Sequence, residues 1–377
     1  MQTATTFQVL ANLLVYVLLL CIMWHRTTSL SQSRGGTSRL SDVTVWSLIL
    51  VACLFPFYSG DYFHYISHIR KIEAGIDVNL ESVYYYIAEK VHYNYLYWRL
   101  TVWGGAIALL YWLLSRLPQH EDILLFCFIA VYLLEFSYSR VNLSQIVMFS
   151  GCVFYVQSRV KREFLYSVLG LAIILVSLFF HKSALYGIFV MLLAIATVRF
   201  FSIKLLVVMI AVFMMFLNQM TSLLSDMIYS VVYEDSELIN VDVAHIYVET
   251  KYVSAGLGEM LQNALTRSVQ YVYVCFFMVV LLNGIYRKMP YYIQVLMLQA
   301  FFSIVFALAF LLDFNINTYV FYFRFLKFSY MSIVIVIAYM IQQRLFVRWA
   351  KTMLYLGMSG SLYTLLYSAY CAYSHQM

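Results

Sequence analysis

Residues 164–198 read FLYSVLGLAIILVSLFFHKSALYGIFVMLLAIATV, two apolar runs that are interrupted only by a histidine, a lysine and a serine. Each run is close to the length of a helix that crosses a lipid bilayer, which takes roughly 17 to 25 predominantly apolar residues. The whole chain has this character, since 63% of its 377 residues are hydrophobic and 11% are charged. A soluble domain carries about a quarter charged residues, so the composition predicts an all-α, polytopic integral membrane protein.

Similar apolar segments recur along the chain and predict about twelve transmembrane helices within a single membrane domain that covers residues 1–377. The predicted spans are 7–24, 43–59, 95–114, 122–138, 141–157, 164–180, 183–199, 203–219, 268–286, 291–312, 319–341 and 352–373.

Lysines and arginines predict the orientation, because cytoplasmic loops carry an excess of them. Fourteen fall in one set of connections: Arg26, Arg34, Arg39, Arg116, Arg159, Lys161, Arg162, Arg199, Lys204, Arg287, Lys288, Arg344, Arg348 and Lys351. The alternate set contains the two longest connections, at about 60–94 and 220–267, which we expect on the outer face. The net charge of +6 is scattered singly between apolar segments, so no nucleic acid partner is indicated.

The first outer loop, residues 60–94, has the periodicity of two short helices. In GDYFHYISHIR, Asp61, His64 and His68 fall at positions i, i+3 and i+7 and share one helical face. In NLESVYYYIAEKVH, apolar positions form one stripe, and Glu81 belongs to the polar stripe. Because both segments are amphipathic, we expect these helices to lie at the membrane surface.

Five cations stand near the start of helices that enter from the outer side: Arg99, Arg140, Lys182, Arg267 and Arg324. The positive-inside bias and the helix dipole both disfavour a cation there, so an anion is expected to compensate. A phosphorylated substrate fits, because helix N-termini and arginines together form anion sites. The alternatives are acidic counter-ions, namely Asp61, Glu135 and Asp313, or snorkelling of each side chain to lipid headgroups.

Two further residues belong to this prediction. Lys327 lies three residues after Arg324 on an aromatic helix, inside the predicted hydrocarbon region, where charged groups usually face a bundle interior or a watery cavity. His181 precedes Lys182 and can exchange a proton near neutral pH, although a lone histidine at a helix end is more often structural. Cysteines and histidines show no metal-ligand spacing, so neither a metal nor a cofactor is expected.

Four segments, in this order, resemble the EpsG-like branch of the bacterial Wzy-type polysaccharide polymerases. They are YSGDYFHYISHI (58–69), LEFSYSRVNLSQIVMFSGCVFYVQ (134–157), FFHKSAL (179–185) and YVFYFRFLKF (319–328). The glycine-x-aspartate of that family appears as Gly60-Asp61, without the spacer, and its arginine-glutamine appears as Arg140-Val141. The resemblance spans most of the chain.

The resemblance implies an oligosaccharide repeat-unit polymerase in the bacterial cytoplasmic (inner) membrane, acting on its periplasmic or extracellular face. A growing glycan on undecaprenyl pyrophosphate would be transferred, without a metal, to a lipid-linked repeat unit, and the other partners would be membrane lipids and a chain-length regulator. The implied catalytic residues are His181, Arg140 and Asp61. The implied substrate-binding residues are Arg324, Lys182, Lys327, Arg99, His64 and Arg267.

The sequence leaves two questions open. His181 is the first candidate for the general base, with Asp61 and His64 next, but it fits equally well as a pyrophosphate ligand. The alternative functions are a flippase for the same lipid-linked sugar, an O-antigen ligase and a membrane acyltransferase. The flippase is disfavoured because the cations gather at one face and no repeated halves are evident.

Overall fold

The computed structural model describes residues 4–29, 39–78, 80–117, 120–161, 164–200, 272–312 and 324–374. All regular structure in these ranges is helical, as predicted. The predicted span at 203–219, the second outer loop at 220–267, Arg267 and Asp313 lie outside them.

The chain divides into two compact units. Unit one comprises Met1–Leu185 together with Ile333–Met377, and unit two comprises Tyr186–Ser332. Along the chain the helices are α1 (Thr6–Ser29), α2 (Arg39–Leu54), α3 (Gly60–Glu73), α4 (Ser82–Lys90), α5 (Tyr95–Arg116), α6 (Glu121–Val131), α7 (Leu133–Tyr138), α8 (Arg140–Lys161), α9 (Phe164–Phe180), α10 (Ala184–Phe200), α11 (Val272–Leu282), α12 (Tyr291–Leu312), α13 (Tyr330–Gln342) and α14 (Val347–Ser374). A 3-10 turn covers Ile285–Lys288.

Three described helical segments have the length and hydropathy needed to cross a membrane: Thr6–Thr28, Tyr291–Leu308 and Arg324–Gln342. Shorter apolar helices cover Val43–Leu54, Phe164–Phe180, Ala184–Phe200 and Val272–Leu282. Such apolar helices are those of an α-helical membrane protein. The number of twelve spans, the orientation and the single domain over 1–377 stay predictions.

In unit one, two predicted spans end or break earlier than their apolar sequence indicates. The span at 43–59 was expected to continue through Pro56, but α2 ends at Leu54, because proline disfavours helical geometry in the residue before it. The span at 122–138 is divided into α6 and α7 at Tyr132, whose hydroxyl donates to Asn142 Oδ1 at 3.0 Å. Both short helices expected in the first outer loop are present, as α3 and α4.

In unit one, α8 and α9 approach to backbone contact through two glycines. A Cβ atom on Gly151 would lie 2.7 Å from the carbonyl oxygen of Gly170, and one on Gly170 would lie 2.6 Å from the amide nitrogen of Tyr155. Small residues at a helix interface allow this approach. Gly151 follows Arg140 by eleven residues and Gly170 precedes His181 by eleven, so this contact brings Arg140 and His181 level in the antiparallel pair.

In unit two, a buried glutamine holds a break in an apolar segment. The helical turn at 324–327 is separated from α13 by a turn at 328–329. Gln299 on α12 donates from Nε2 to the carbonyl oxygen of Phe328 at 2.8 Å and accepts at Oε1 from the hydroxyl of Ser332. The glutamine thus satisfies a backbone carbonyl at the break, which would be costly to leave unpaired in an apolar interior.

Candidate active site

Three helix N-termini of unit one lie around the carboxylate of Glu81. Glu81 is the N-cap residue of α4, Arg140 is the first residue of α8, and the turn of His181, Lys182 and Ser183 leads into α10. Each N-terminus carries the positive end of a helix dipole. The ion pair of Glu81 with Arg140 and its contact with His181 join these three places, so the region is electropositive around one carboxylate.

Arg140 is held in a fixed position by a carboxylate and two aromatic rings. Its Nη1 atom is hydrogen-bonded to Oε2 of Glu81, and the two side chains are only 17% and 18% exposed. The guanidinium carbon lies 5.7 Å from the ring centre of Tyr65 on α3 and 5.6 Å from that of Tyr84 on α4. These cation–π contacts and the ion pair restrict the guanidinium to one orientation.

His181 faces the same carboxylate from the other side. Its Nε2 atom lies 3.8 Å from Oε1 of Glu81. Its Nδ1 atom accepts a hydrogen bond from the backbone N–H of Ser183 at 3.1 Å and lies 2.5 Å from the Ser183 hydroxyl oxygen. The hydroxyl of Tyr84 donates to the carbonyl oxygen of Phe180 at 3.0 Å, so α4 is tied to the turn that carries His181.

Lys182 adds a second full positive charge to the site. Its side chain is exposed, and it acts electrostatically on Glu81 together with Arg140. Burial raises the pKa of the Glu81 carboxyl above its ordinary value, while Arg140 and Lys182 act in the opposite direction. Two cations therefore share one carboxylate among the described residues, which leaves the site able to attract an anion.

A pair of histidines on α3 extends the site. The rings of His64 and His68 are 4.0 Å apart between centroids. His68 is 9% exposed, and its Nδ1 atom has no hydrogen-bond partner within the described part of the chain. Burial, followed by the charges of His64, Arg140 and Lys71, lowers the pKa of His68 to about 3, so the ring is neutral. Asp61 lies at the start of α3, and its side chain is not among those described.

Arg99 is fully buried behind this site. Its Nε atom donates to the carbonyl oxygen of Cys53 at 2.8 Å, and its Nη2 atom donates to that of Ser137 at 2.5 Å. Its guanidinium carbon lies 3.9 Å from the ring centre of Trp103. The two carbonyls belong to the last turns of α2 and α7, whose negative dipole ends offset the buried charge. The predicted contact of Arg99 with substrate therefore has to compete with these protein contacts.

Arg324 and Lys327 lie in unit two. Arg324 is hydrogen-bonded to Tyr186 on α10, and both cations are partly exposed. Phe325, between them, packs on Tyr186 with ring centroids 4.9 Å apart. Their predicted role in substrate binding stays a prediction.

The structure thus brings together Arg140, Lys182, His181 and the face of α3 that carries His64. Sequence reasoning missed Glu81, the carboxylate at their centre, and assigned it only to the polar stripe of a helix at the membrane surface. The usable signal was its position directly before a predicted helix, three residues ahead of Tyr84 on the apolar stripe of that helix. Among the described residues, no group of three or more histidine, cysteine, aspartate or glutamate side chains could hold a metal ion.

Comparison of the chain with protein-family models, curated proteins and solved structures finds no match. The chemistry of the site is therefore inferred from its geometry and from the sequence.

Proposed function

We propose that the chain is an oligosaccharide repeat-unit polymerase, which transfers a growing glycan from undecaprenyl pyrophosphate to a lipid-linked repeat unit on the outer face of the bacterial cytoplasmic membrane. The observation that carries this proposal is the assembly of Arg140, Lys182 and His181 around Glu81, at three helix N-termini. Such an arrangement favours phosphate groups. The order of the four segments that resemble the Wzy-type polymerases supports a glycan carried on a lipid pyrophosphate.

The site would act mainly on the leaving group. A sugar hydroxyl of the acceptor attacks the anomeric carbon of the donor, and negative charge develops on the departing lipid pyrophosphate. Arg140 and Lys182 are positioned to stabilise that charge, and one such pre-positioned group commonly contributes about 2.7–4 kcal/mol. In this proposal cationic side chains take up the charge, without a metal or a cofactor. Arg324 and Lys327 remain proposed substrate ligands.

Deletion of the gene in its host strain tests the proposal. We expect surface glycans that carry single repeat units and no longer chains, with length restored by the wild-type gene. Accumulation of long, lipid-linked polymer would instead identify a ligase. Accumulation of lipid-linked units on the cytoplasmic leaflet would identify a flippase.

Complementation with alanine variants tests the residues. Arg140→Ala, Lys182→Ala and Arg324→Ala are each expected to abolish or strongly shorten the polymer while the protein still inserts into the membrane. Loss of even one pre-positioned cation should cost about a hundredfold or more in rate. Full chain length in all three variants would exclude the proposed site.

A second candidate, a membrane acyltransferase, is favoured by one observation. The hydroxyl of Ser183, the ring of His181 and the carboxylate of Glu81 follow one another at 2.5 Å and 3.8 Å, the order of a nucleophile, a base and an orienting acid. Ser183 is only 2% exposed, which places its hydroxyl away from a large substrate. Under the polymerase proposal Ser183→Ala retains polymerisation, whereas an acyltransferase would lose all activity.

A further inference from the structure

The turn between α9 and α10 fixes the proton of His181 on one ring nitrogen. The backbone N–H of Ser183 can only donate a hydrogen bond, and it points at Nδ1 of His181 from 3.1 Å. Nδ1 is therefore the acceptor nitrogen, and the Ser183 hydroxyl lies beside the same atom. A neutral imidazole carries one N–H, so the proton resides on Nε2.

In this tautomer, the N–H group of the His181 ring is on the side of the ring that faces Glu81. Nε2 faces Oε1 of Glu81 at 3.8 Å, and the side chain of His181 is 15% exposed. With Nδ1 engaged by its own turn and Nε2 already protonated, the neutral ring can donate a hydrogen bond to a substrate atom but cannot take up a substrate proton. Its chemistry in this geometry is that of a ligand to an anion.

Glu81 offers the proton acceptor that His181 lacks. Its Oε2 atom is engaged by Arg140, whereas Oε1 is 3.8 Å from Nε2 of His181, beyond the usual 2.7–3.2 Å of an N–H···O hydrogen bond. Oε1 therefore retains lone pairs that a hydroxyl group can reach. Burial also moves the carboxyl pKa toward neutral pH, which suits a general base.

We propose that Glu81 is the general base of the transfer, and that His181 donates Nε2–H to the leaving pyrophosphate; this inference rests on the polymerase function proposed above. The hydroxyl oxygen of the acceptor sugar bonds to the anomeric carbon of the donor, and the hydroxyl proton passes to Glu81. The bond from that carbon to the pyrophosphate oxygen breaks, and its electron pair leaves with the pyrophosphate. The proton returns to water between turnovers, since the Glu81 side chain is 18% exposed.

Two glutamine variants separate the roles. Glu81→Gln keeps the size of the side chain and an oxygen for Arg140, but the amide cannot take up a proton. His181→Gln keeps an N–H donor near the position of Nε2 and cannot act as a base. The assay uses purified full-length protein and lipid-linked repeat units extracted from host cells that lack the chain. Glu81→Gln is expected to lower the rate about a hundredfold or more, and His181→Gln no more than about tenfold.

The pH profile distinguishes a base from a residue that only holds Arg140. Wild-type activity should fall as the pH is lowered through the pKa of the Glu81 carboxyl, because the protonated acid cannot accept a proton. This acid limb should persist in His181→Gln and vanish from the residual activity of Glu81→Gln. If Glu81→Gln does not fold, Glu81→Asp keeps a carboxylate and is expected to shift the limb, and an unshifted limb would overturn the proposal.

The remaining outcomes are distinct. An active wild type whose activity is lost in His181→Gln but not in Glu81→Gln makes His181 the base and overturns only this inference. Equal, near-wild-type activity of both variants places the base elsewhere and overturns it as well. A folded wild type that never extends the repeat units overturns the polymerase function and this inference together.

Discussion

Arg99 and Arg140 have similar sequence settings but opposite environments. Both lie near the start of apolar helices on the expected outer side, yet Arg99 is fully buried and held by the backbone carbonyls of Cys53 and Ser137. Arg140 pairs with a partly exposed carboxylate, Glu81. The first arginine joins two helix ends, and the second pairs with the carboxylate at the centre of the candidate site.

We expect Arg99→Met to lower the free energy of unfolding by about 2–4 kcal/mol, because two buried carbonyls lose their donors. Thermal unfolding in detergent measures this loss. The matched control is Arg116→Met at the other end of α5, where the side chain is exposed and the change should stay within about 0.5 kcal/mol. Equal effects of the two substitutions would contradict the structural role of Arg99.

His68 predicts a pH dependence of stability. Its pKa is about 3 in the folded protein and near 6.5 when unfolded, so the unfolded chain binds an extra proton between these values. Stability is therefore complete above pH 6.5 and decreases as the pH falls toward 3. Between pH 6.5 and 5 the decrease should amount to about 1–2 kcal/mol.

Unfolding of wild type and His68→Gln, compared at pH 7 and pH 5, measures this contribution. The variant should lose less stability than wild type over that interval. His92→Gln is the control, since His92 is exposed and its replacement should leave the wild-type difference intact. A pH dependence unchanged by His68→Gln would show that the ring is not held neutral.

At the scale of the helices, the contact of α8 with α9 fixes the register of these two helices and with it the relative positions of Arg140 and His181. Gly151 and Gly170 leave no room for a side chain, and they lie equally far from Arg140 and His181. A change of one residue in this register would rotate His181 away from Glu81.

Gly170→Ala tests this register. The added methyl group would lie 2.6 Å from backbone, so we expect a loss of about 1–3 kcal/mol in stability and a marked loss of polymerisation. Gly105→Ala on α5 is the control, because nothing lies within 4 Å of its Cβ position. That substitution should leave stability unchanged or slightly raised. Equal results for the two alanines would show that the α8–α9 contact is looser than described.

Helix positions were largely predictable, because long apolar runs determine them locally. The predicted spans 95–114 and 164–180 correspond closely to α5 and α9. The break at Tyr132 was not predictable, since residues 122–138 contain no glycine or proline, and the hydrogen bond that the Tyr132 hydroxyl donates to Asn142 joins another helix. The periodicity of a sequence describes one helix at a time and therefore does not predict a hydrogen bond between two helices.

For the molecule as a whole, the positions of lysines and arginines in the sequence indicated where the candidate active site lies, but they did not indicate the carboxylate at its centre. The sequence predicted Arg140, Lys182 and His181 from topology. It did not predict Glu81, because the pairing of Glu81 with Arg140 joins residues that are far apart in the chain. A polar stripe on a helix specifies a hydrophilic face, and only tertiary packing decides whether water or an arginine covers it.

The expected orientation can be tested by labelling single cysteines in a chain whose native cysteines are replaced. The cysteine of Glu89→Cys, at an exposed position of α4, should react with a membrane-impermeant maleimide in intact cells. Cys at position 343, in the exposed turn after α13, should react only after permeabilisation. The reverse pattern would place Glu81 in the cytoplasm and contradict a reaction on the outer face.

Tyr84 and its bond to the Phe180 carbonyl have a consequence for protein engineering. Residues 60–94 supply Glu81 and the aromatic support of Arg140, so this loop is an integral part of the site and cannot serve as an interchangeable cover. In a chimera that takes residues 60–94 from another chain, the carboxylate at position 81 would come from that chain, whereas Arg140 would stay native. The two side chains would then no longer be matched in position. Exchange of the loop together with the start of α8 and the α9–α10 turn is the smallest graft that preserves the contacts of Glu81 with Arg140 and His181.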